Sequence, residues 1–174
     1  DVARTGIGAI TPLGDARRTW ERLLAGQSGL EAAPEAIRRA GCSVVGPASW
    51  FVAGDFMDRN TARRMGRFSQ FSVVAATMAM ADAGLEGYSG DGLGVVIHTG
   101  AGGLLEAEAT AAVAAARPTR VSPLFVPVYG PNMAACQPSI VLGATGPVHG
   151  GVGACAAGVQ AVIDGARVIQ RGEA

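Results

Sequence analysis

Residues 148–158 read VHGGVGACAAG. A glycine-dense stretch of strand character, VHGGVGAC, runs straight into a segment from Ala156 to about Arg171 with few polar residues, which predicts a helix. Upstream, residues 93–100, LGVVIHTG, form a continuous apolar run of the kind a strand shows when both of its faces are covered. An Ala-rich helix from about Leu104 to Ala116 lies between the two. Strand and helix therefore alternate, which predicts a layered α/β fold with a buried, mostly parallel sheet.

Outward from this core the signals are of mixed strength. Residues 5–14, TGIGAITPLG, read as a strand end followed by a Gly/Pro turn. Asp15 can then cap a helix, because its carboxylate accepts the orphan amides of a first turn. Trp20, Leu23 and Leu24 supply the apolar stripe of that helix, and Gly26 sits where a left-handed stop belongs. Residues 27–57 are irregular, with Cys42 to Val45 as a short strand candidate. A second helix is predicted from about Thr61 to Ala83, stopped by Gly84. Its first half is basic, and its second half, SVVAATMAMADAG, is apolar nearly all round and so expected to be buried. The four prolines of PTRVSPLFVPVYGP predict an extended, ordered loop at residues 118–131. PNMAACQPSIVLG, residues 131–143, carries a short helix, with Pro131 suited to its first turn and Pro138 expected to kink it.

Composition narrows the function classes. The chain has 174 residues, enough for one sizeable core. Apolar residues make up 49% and charged residues 16%, which excludes a disordered chain. The formal net charge is zero, against the basic surplus of a dedicated nucleic-acid binder. All fourteen basic residues are arginine, so neither a lysine Schiff base nor a Walker-type phosphate lysine is available. Three cysteines, Cys42, Cys136 and Cys155, contain no CxxC pair and predict neither a disulfide framework nor a zinc site. No membrane span and no signal peptide are read, and a reducing, cytoplasmic setting is expected.

The chemistry centres on Cys155. Placed between a glycine-rich strand and a helix start, its sulfur faces unpaired amides and the positive end of the helix dipole, which stabilise a thiolate. Gly153, Ala154, Ala156 and Ala157 are small, as a tight elbow requires, and leave room for a substrate carbonyl. The amide of Cys155 could supply half of an oxyanion hole. From position alone, the same residue reads equally as a small cysteine packing an α/β core. Cys42 and Cys136 are expected as buried structural thiols. His149, six residues upstream of Cys155, suggests a Cys–His dyad, but a histidine bonded near a sheet edge accounts for it as well. TGAGG, residues 99–103, could cradle a phosphate after a strand, yet it lacks the dinucleotide spacing, and no cofactor is expected there. Arg59, Arg63, Arg64 and Arg67 make the one local basic cluster, either a solvated face or a dock for an acidic partner.

TGIGAITPLG (5–14), RRMGRFSQF (63–71), VVIHTGAGG (95–103), RVSPLFVPVYGPNMAA (120–135) and GACAAG (153–158) stand in the order and spacing of one family. Over nearly its whole length the chain resembles the elongating, type II branch of the β-ketoacyl-acyl-carrier-protein synthases. The resemblance implies the thiolase fold, a five-layered α/β/α/β/α arrangement of two related halves. Residues 1–174 would form a single N-terminal, nucleophile-bearing half, with the C-terminal half not present. It implies a dimer, either a homodimer or a ketosynthase/chain-length-factor heterodimer.

In that family the residue matching Cys155 accepts an acyl chain from acyl carrier protein. A malonyl thioester then loses carbon dioxide, and its carbanion attacks the bound acyl carbonyl. Ala101 falls on the gate of the acyl pocket, where elongating enzymes often carry a larger aliphatic group. Phe125 falls on a position that contributes to the acyl pocket of the dimeric partner. Arg63 and Arg64 match basic residues that dock the acidic carrier. No metal or cofactor of the chain's own is implied, because 4′-phosphopantetheine arrives on the carrier. The two histidines and the lysine that assist lie in the family's second half, and His98 and His149 fall on other positions. The opening DVARTG departs from the family's run of β-branched residues, and Arg4 would need a partner in a buried central strand. The reading is a condensing enzyme of fatty-acid or type II polyketide elongation. The alternative is a catalytically incomplete carrier-binding or chain-length-factor-like subunit of the same fold.

Overall fold

A computed structural model describes residues 2–174. Its centre is a pair of parallel strands, β3 (Val95–Thr99) and β4 (Val148–Val152), in register from Val95 opposite Val148 to Thr99 opposite Val152. Successive side chains of a strand point to opposite faces, and the two faces receive different helices. On one face lies α8 (Ala157–Gln170), reached through Val96 and His98. On the other lies α7 (Met133–Leu142), with α4 (Arg67–Asp82) packed against it. The result is a local helix–sheet–helix sandwich, the α/β layering expected from the alternation. No helix is long and apolar enough to cross a membrane among the described residues.

The remaining elements surround this sandwich. Helix α1 (Ala16–Leu24) begins at Asp15, whose carboxylate accepts from the Arg18 amide at 2.8 Å. Its apolar stripe is not buried: Trp20 is 64% exposed and Leu24 71%. The helix is held inward by polar groups instead. Thr19 Oγ1 lies 2.6 Å from Thr11 Oγ1, and Arg22 donates to the Leu13 carbonyl at 3.0 Å. A short antiparallel pair follows, β1 (Glu31–Ala32) with β2 (Val44–Val45), enclosing α2 (Glu35–Arg39), a helix the sequence reading missed. Trp50, Phe51, Phe56 and Phe71 form an aromatic cluster beside the opening segment, and the Trp50 indole donates to the Thr11 carbonyl at 2.7 Å.

Four expectations are corrected. Among the described residues the opening segment forms no ladder, and Arg4 is exposed, so no charge is buried there. It runs instead across α4, where Gly6 and Gly8 permit backbone-to-backbone approach. A Cβ on Gly8 would stand 2.7 Å from the Ala79 nitrogen and closer still to the Ala75 carbonyl oxygen. The long helix predicted over 61–83 is two helices, α3 (Arg59–Ala62) and α4, broken where Gly66 approaches the Val128 carbonyl too closely for any side chain. The proline-rich loop is partly helical: a 3-10 turn covers Pro118–Arg120, and α6 covers Phe125–Tyr129. Pro127 falls in the first turn of α6, where its missing amide has no intrahelical partner to lose. Finally, Pro131 lies before α7 and not in its first turn, while Pro138 stands inside that helix among the most deeply buried side chains. The Ala-rich helix α5 is found at Leu104–Ala116.

Candidate active site

The strand-to-helix elbow is built as follows. β4 ends at Val152, a 3-10 turn covers Ala154–Ala156, and α8 starts at Ala157. Cys155 lies in that turn with its thiol exposed. No side chain caps α8, and the Ala157 amide at its start donates to the Ala154 carbonyl within the turn that holds Cys155. Ala154 has φ 47, the one non-glycine residue in the left-handed region among those described. A side chain held there is under local strain of the kind that persists where the surroundings over-determine the backbone. The elbow is anchored from behind. Gly153 donates to the Thr99 carbonyl at 3.0 Å, and the Gln160 carboxamide fills the space where a Cβ on Gly153 would sit.

That anchor brings the start of TGAGG beside the elbow. A Cβ on Gly100 would meet the Ala154 carbonyl oxygen at 3.9 Å. Ala101 is exposed in the same loop, while Gly102 and Gly103 lie against Pro131 and Tyr129. Thr99 Oγ1 is buried without a hydrogen-bond partner, a polar group that an ordered water or an entering ligand could satisfy. The sequence reading missed it, because a threonine ending an apolar strand carries no signal of its own.

Arg63, Arg64 and Phe125 fall together elsewhere. With Asn60, Thr110 and Val128 they line a cleft of about 430 Å³. Phe125 stacks on Tyr129 at 5.1 Å between ring centroids. Ala101 does not line this cleft. Arg67 is set apart from its two neighbours: its guanidinium lies over Phe71 at 4.8 Å and Phe51 at 5.5 Å, and it donates to the Ala48 carbonyl at 3.0 Å. Asp58 caps α3 by accepting from the Asn60 and Thr61 amides, and these bonds, with the Thr61 hydroxyl foremost, hold its carboxyl below the usual range. Cys42, expected buried, is exposed, and Cys136 is half-buried. His149 is exposed on β4, on the strand's far side in chain order from the elbow. No cluster of three or more metal-ligating side chains is present among the described residues.

The fold is the thiolase-like α/β fold of the ketosynthases. The ishigamide ketosynthase/chain length factor superposes with a TM-score of 0.82 at 26% identity, over 97% of this chain and 44% of that one. A type II PKS acyl-carrier protein in complex with its ketosynthase gives a TM-score of 0.78 at 21% identity, over 98% of this chain and 46% of that one. The sequence comparisons are more specific. Residues 1–174 match the family model described as beta-ketoacyl synthase, N-terminal domain, and the chain belongs to that family. It is 39% identical to 3-oxoacyl-[acyl-carrier-protein] synthase 2 of Staphylococcus aureus (strain N315), over 99% of this chain and 43% of that protein. The chain thus spans less than half the length of the curated relatives it matches.

Proposed function

We propose that the chain is the nucleophile-bearing part of a condensing enzyme that joins an acyl group to a malonyl unit delivered on acyl carrier protein. The observation that carries this is the elbow: an exposed cysteine in a tight turn, behind a strained Ala154 and ahead of an uncapped helix. The Cys155 sulfur attacks the carrier-bound thioester carbonyl, the oxyanion meets the Cys155 amide, and the pantetheine thiol leaves. A malonyl thioester then loses carbon dioxide, and its carbanion attacks the acyl carbon and releases the Cys155 thiolate. Decarboxylation needs groups beyond the elbow itself, since the chain holds no lysine and His98 is turned to Asp164 of α8. Those groups would come from polypeptide beyond these residues.

Phosphopantetheine would arrive on the carrier, which would dock at Arg63 and Arg64. Guanidinium forks suit carboxylates and phosphate, and both arginines border a cleft that also holds Phe125. Ala101, in the loop beside the elbow, would gate the acyl chain. The setting would be cytoplasmic, in fatty-acid or type II polyketide elongation. A second reading, a chain-length-factor-like subunit without acyl transfer, is disfavoured by the presence and exposure of Cys155. In the complete gene product, incubation with acyl-loaded carrier should leave a covalent acyl adduct on Cys155, and Cys155→Ala should abolish it without changing the circular dichroism spectrum. An adduct that persists in the variant would sink the assignment.

A further inference from the structure

The helix that carries the reactive turn sits on the sheet through small side chains. Gly165 of α8 faces Val96, where a Cβ would stand 3.9 Å from the valine's own Cβ. Ala157 and Val168 are the buried residues of the helix. Apart from Val168, the buried contact is made by small groups that interlock little. One polar contact adds to them. His98 of β3 is 12% exposed and places Nε2 3.8 Å from Oδ2 of Asp164 on α8. Arg167 holds the other oxygen of that carboxylate at 3.3 Å. Gly151, opposite His98 in the ladder, makes room for the ring, since a Cβ there would come within 3.4 Å of three ring atoms. Among the described residues, this is the one such contact that joins two secondary-structure elements. The others lie within one helix or the turn that follows it.

β3 therefore grips the elbow and helix at two adjacent residues. The Thr99 carbonyl holds the Gly153 amide ahead of Cys155. His98 meets Asp164 on α8, about two helical turns past the start of that helix. One attachment leaves a pivot, whereas two that far apart fix both the roll and the slide of a rod. We propose that His98 is a positioning residue: through Asp164 it sets the register of α8 on the sheet, and so the placement of the turn that carries Cys155. This rests on Cys155 being the acylated nucleophile.

The test is made in the complete gene product carrying Cys42→Ser, with Cys136 as internal standard. The rate of Cys155 carbamidomethylation relative to Cys136 is followed by mass spectrometry, beside thermal unfolding. His98→Ala and Asp164→Ala should each slow Cys155 relative to Cys136 by about tenfold, and the double variant should be no slower than either, because one contact is lost in all three. His98→Gln, which keeps a polar group facing Asp164, should recover most of the rate. Should His98→Ala fail to fold, His98→Gln against His98→Leu makes the same comparison with and without a polar group. Variants that melt earlier but keep the parental rate ratio would reduce His98 to a packing residue and overturn the proposal, as would additive losses in the double variant. A parent whose Cys155 reacts no faster than Cys136 would overturn the nucleophile reading itself, before any His98 variant is made.

Discussion

Arg63, Arg64 and Arg67 stand within one short basic run, yet their surroundings assign them different work. Arg67 is committed to Phe51, Phe71 and the Ala48 carbonyl. Arg63 and Arg64 border the open cleft with no ion pair among the described residues. Reversing Arg63 and Arg64 to Glu should therefore weaken carrier binding by at least about tenfold at low salt and flatten its salt dependence, because steering charges act mainly on association. Surface plasmon resonance across a salt series reads this directly. Arg67→Ala should leave carrier affinity nearly unchanged and instead lower stability by about 1 kcal/mol, the scale of a partly exposed cation–π contact. Equal effects of the two changes on binding would mean the three arginines act as one face. Sequence could pick out the cluster but not divide it, because the rings that claim Arg67 come from residues 51 and 71, and only packing brings them to one guanidinium.

At the scale of elements, the chain obeyed its local signals where they were consistent and departed where a neighbour intervened. The α5 bounds and the β3 and β4 runs were legible, because Ala-rich and continuous apolar stretches have one low-energy arrangement. The break between α3 and α4 was not, since it depends on the Val128 carbonyl pressing on Gly66 from a distant turn. The small helix α3 has its own acid sensitivity. Asp58 and Glu35 both have carboxyls held below their ordinary values of 3.8 and 4.5, Asp58 chiefly by the Thr61 hydroxyl and Glu35 chiefly by Arg38, then Arg39. A depressed folded-state value means the charged form is favoured by folding. The contribution is complete above the ordinary value and is lost as pH falls through the lower, folded one. The Asn60 and Thr61 amide resonances should therefore titrate with a midpoint below 3.8, and Asp58→Ala should remove that titration. A midpoint at or above 3.8 would show that the cap does not hold in solution.

The 174-residue chain exposes 10887 Å², whereas a monomeric globular protein of 17.5 kDa exposes about 7,900 Å². Many large apolar side chains lie in the exposed surface. Val152, Val159, Val162 and Ile163 lie open on β4 and α8, Trp20, Leu23 and Leu24 on α1, and among the described residues one edge of β4 has no strand beside it. Unpaired edges and wide apolar faces are surfaces that other polypeptide covers. We expect a second copy at the β4 edge, so Val148→Lys, a charge on that edge, should raise the dimer dissociation constant of the complete gene product by at least about tenfold in analytical ultracentrifugation. An unaltered constant would place the interface elsewhere.

What the sequence by itself determined was the α/β layering, the parallel strands and the tight strand-to-helix elbow at GVGACAAG, because periodicity and small residues at a turn are constraints written within a few neighbouring positions. Tertiary structure alone decided the rest. It turned the apolar stripe of α1 outward and held the helix by Thr19 and Arg22, and it left Arg4 in solvent. It also set His98 against Asp164, sixty-six positions away, in a space that Gly151 leaves open. Such pairings arise when separate segments compete for the same limited interior, and no local pattern records which of them wins.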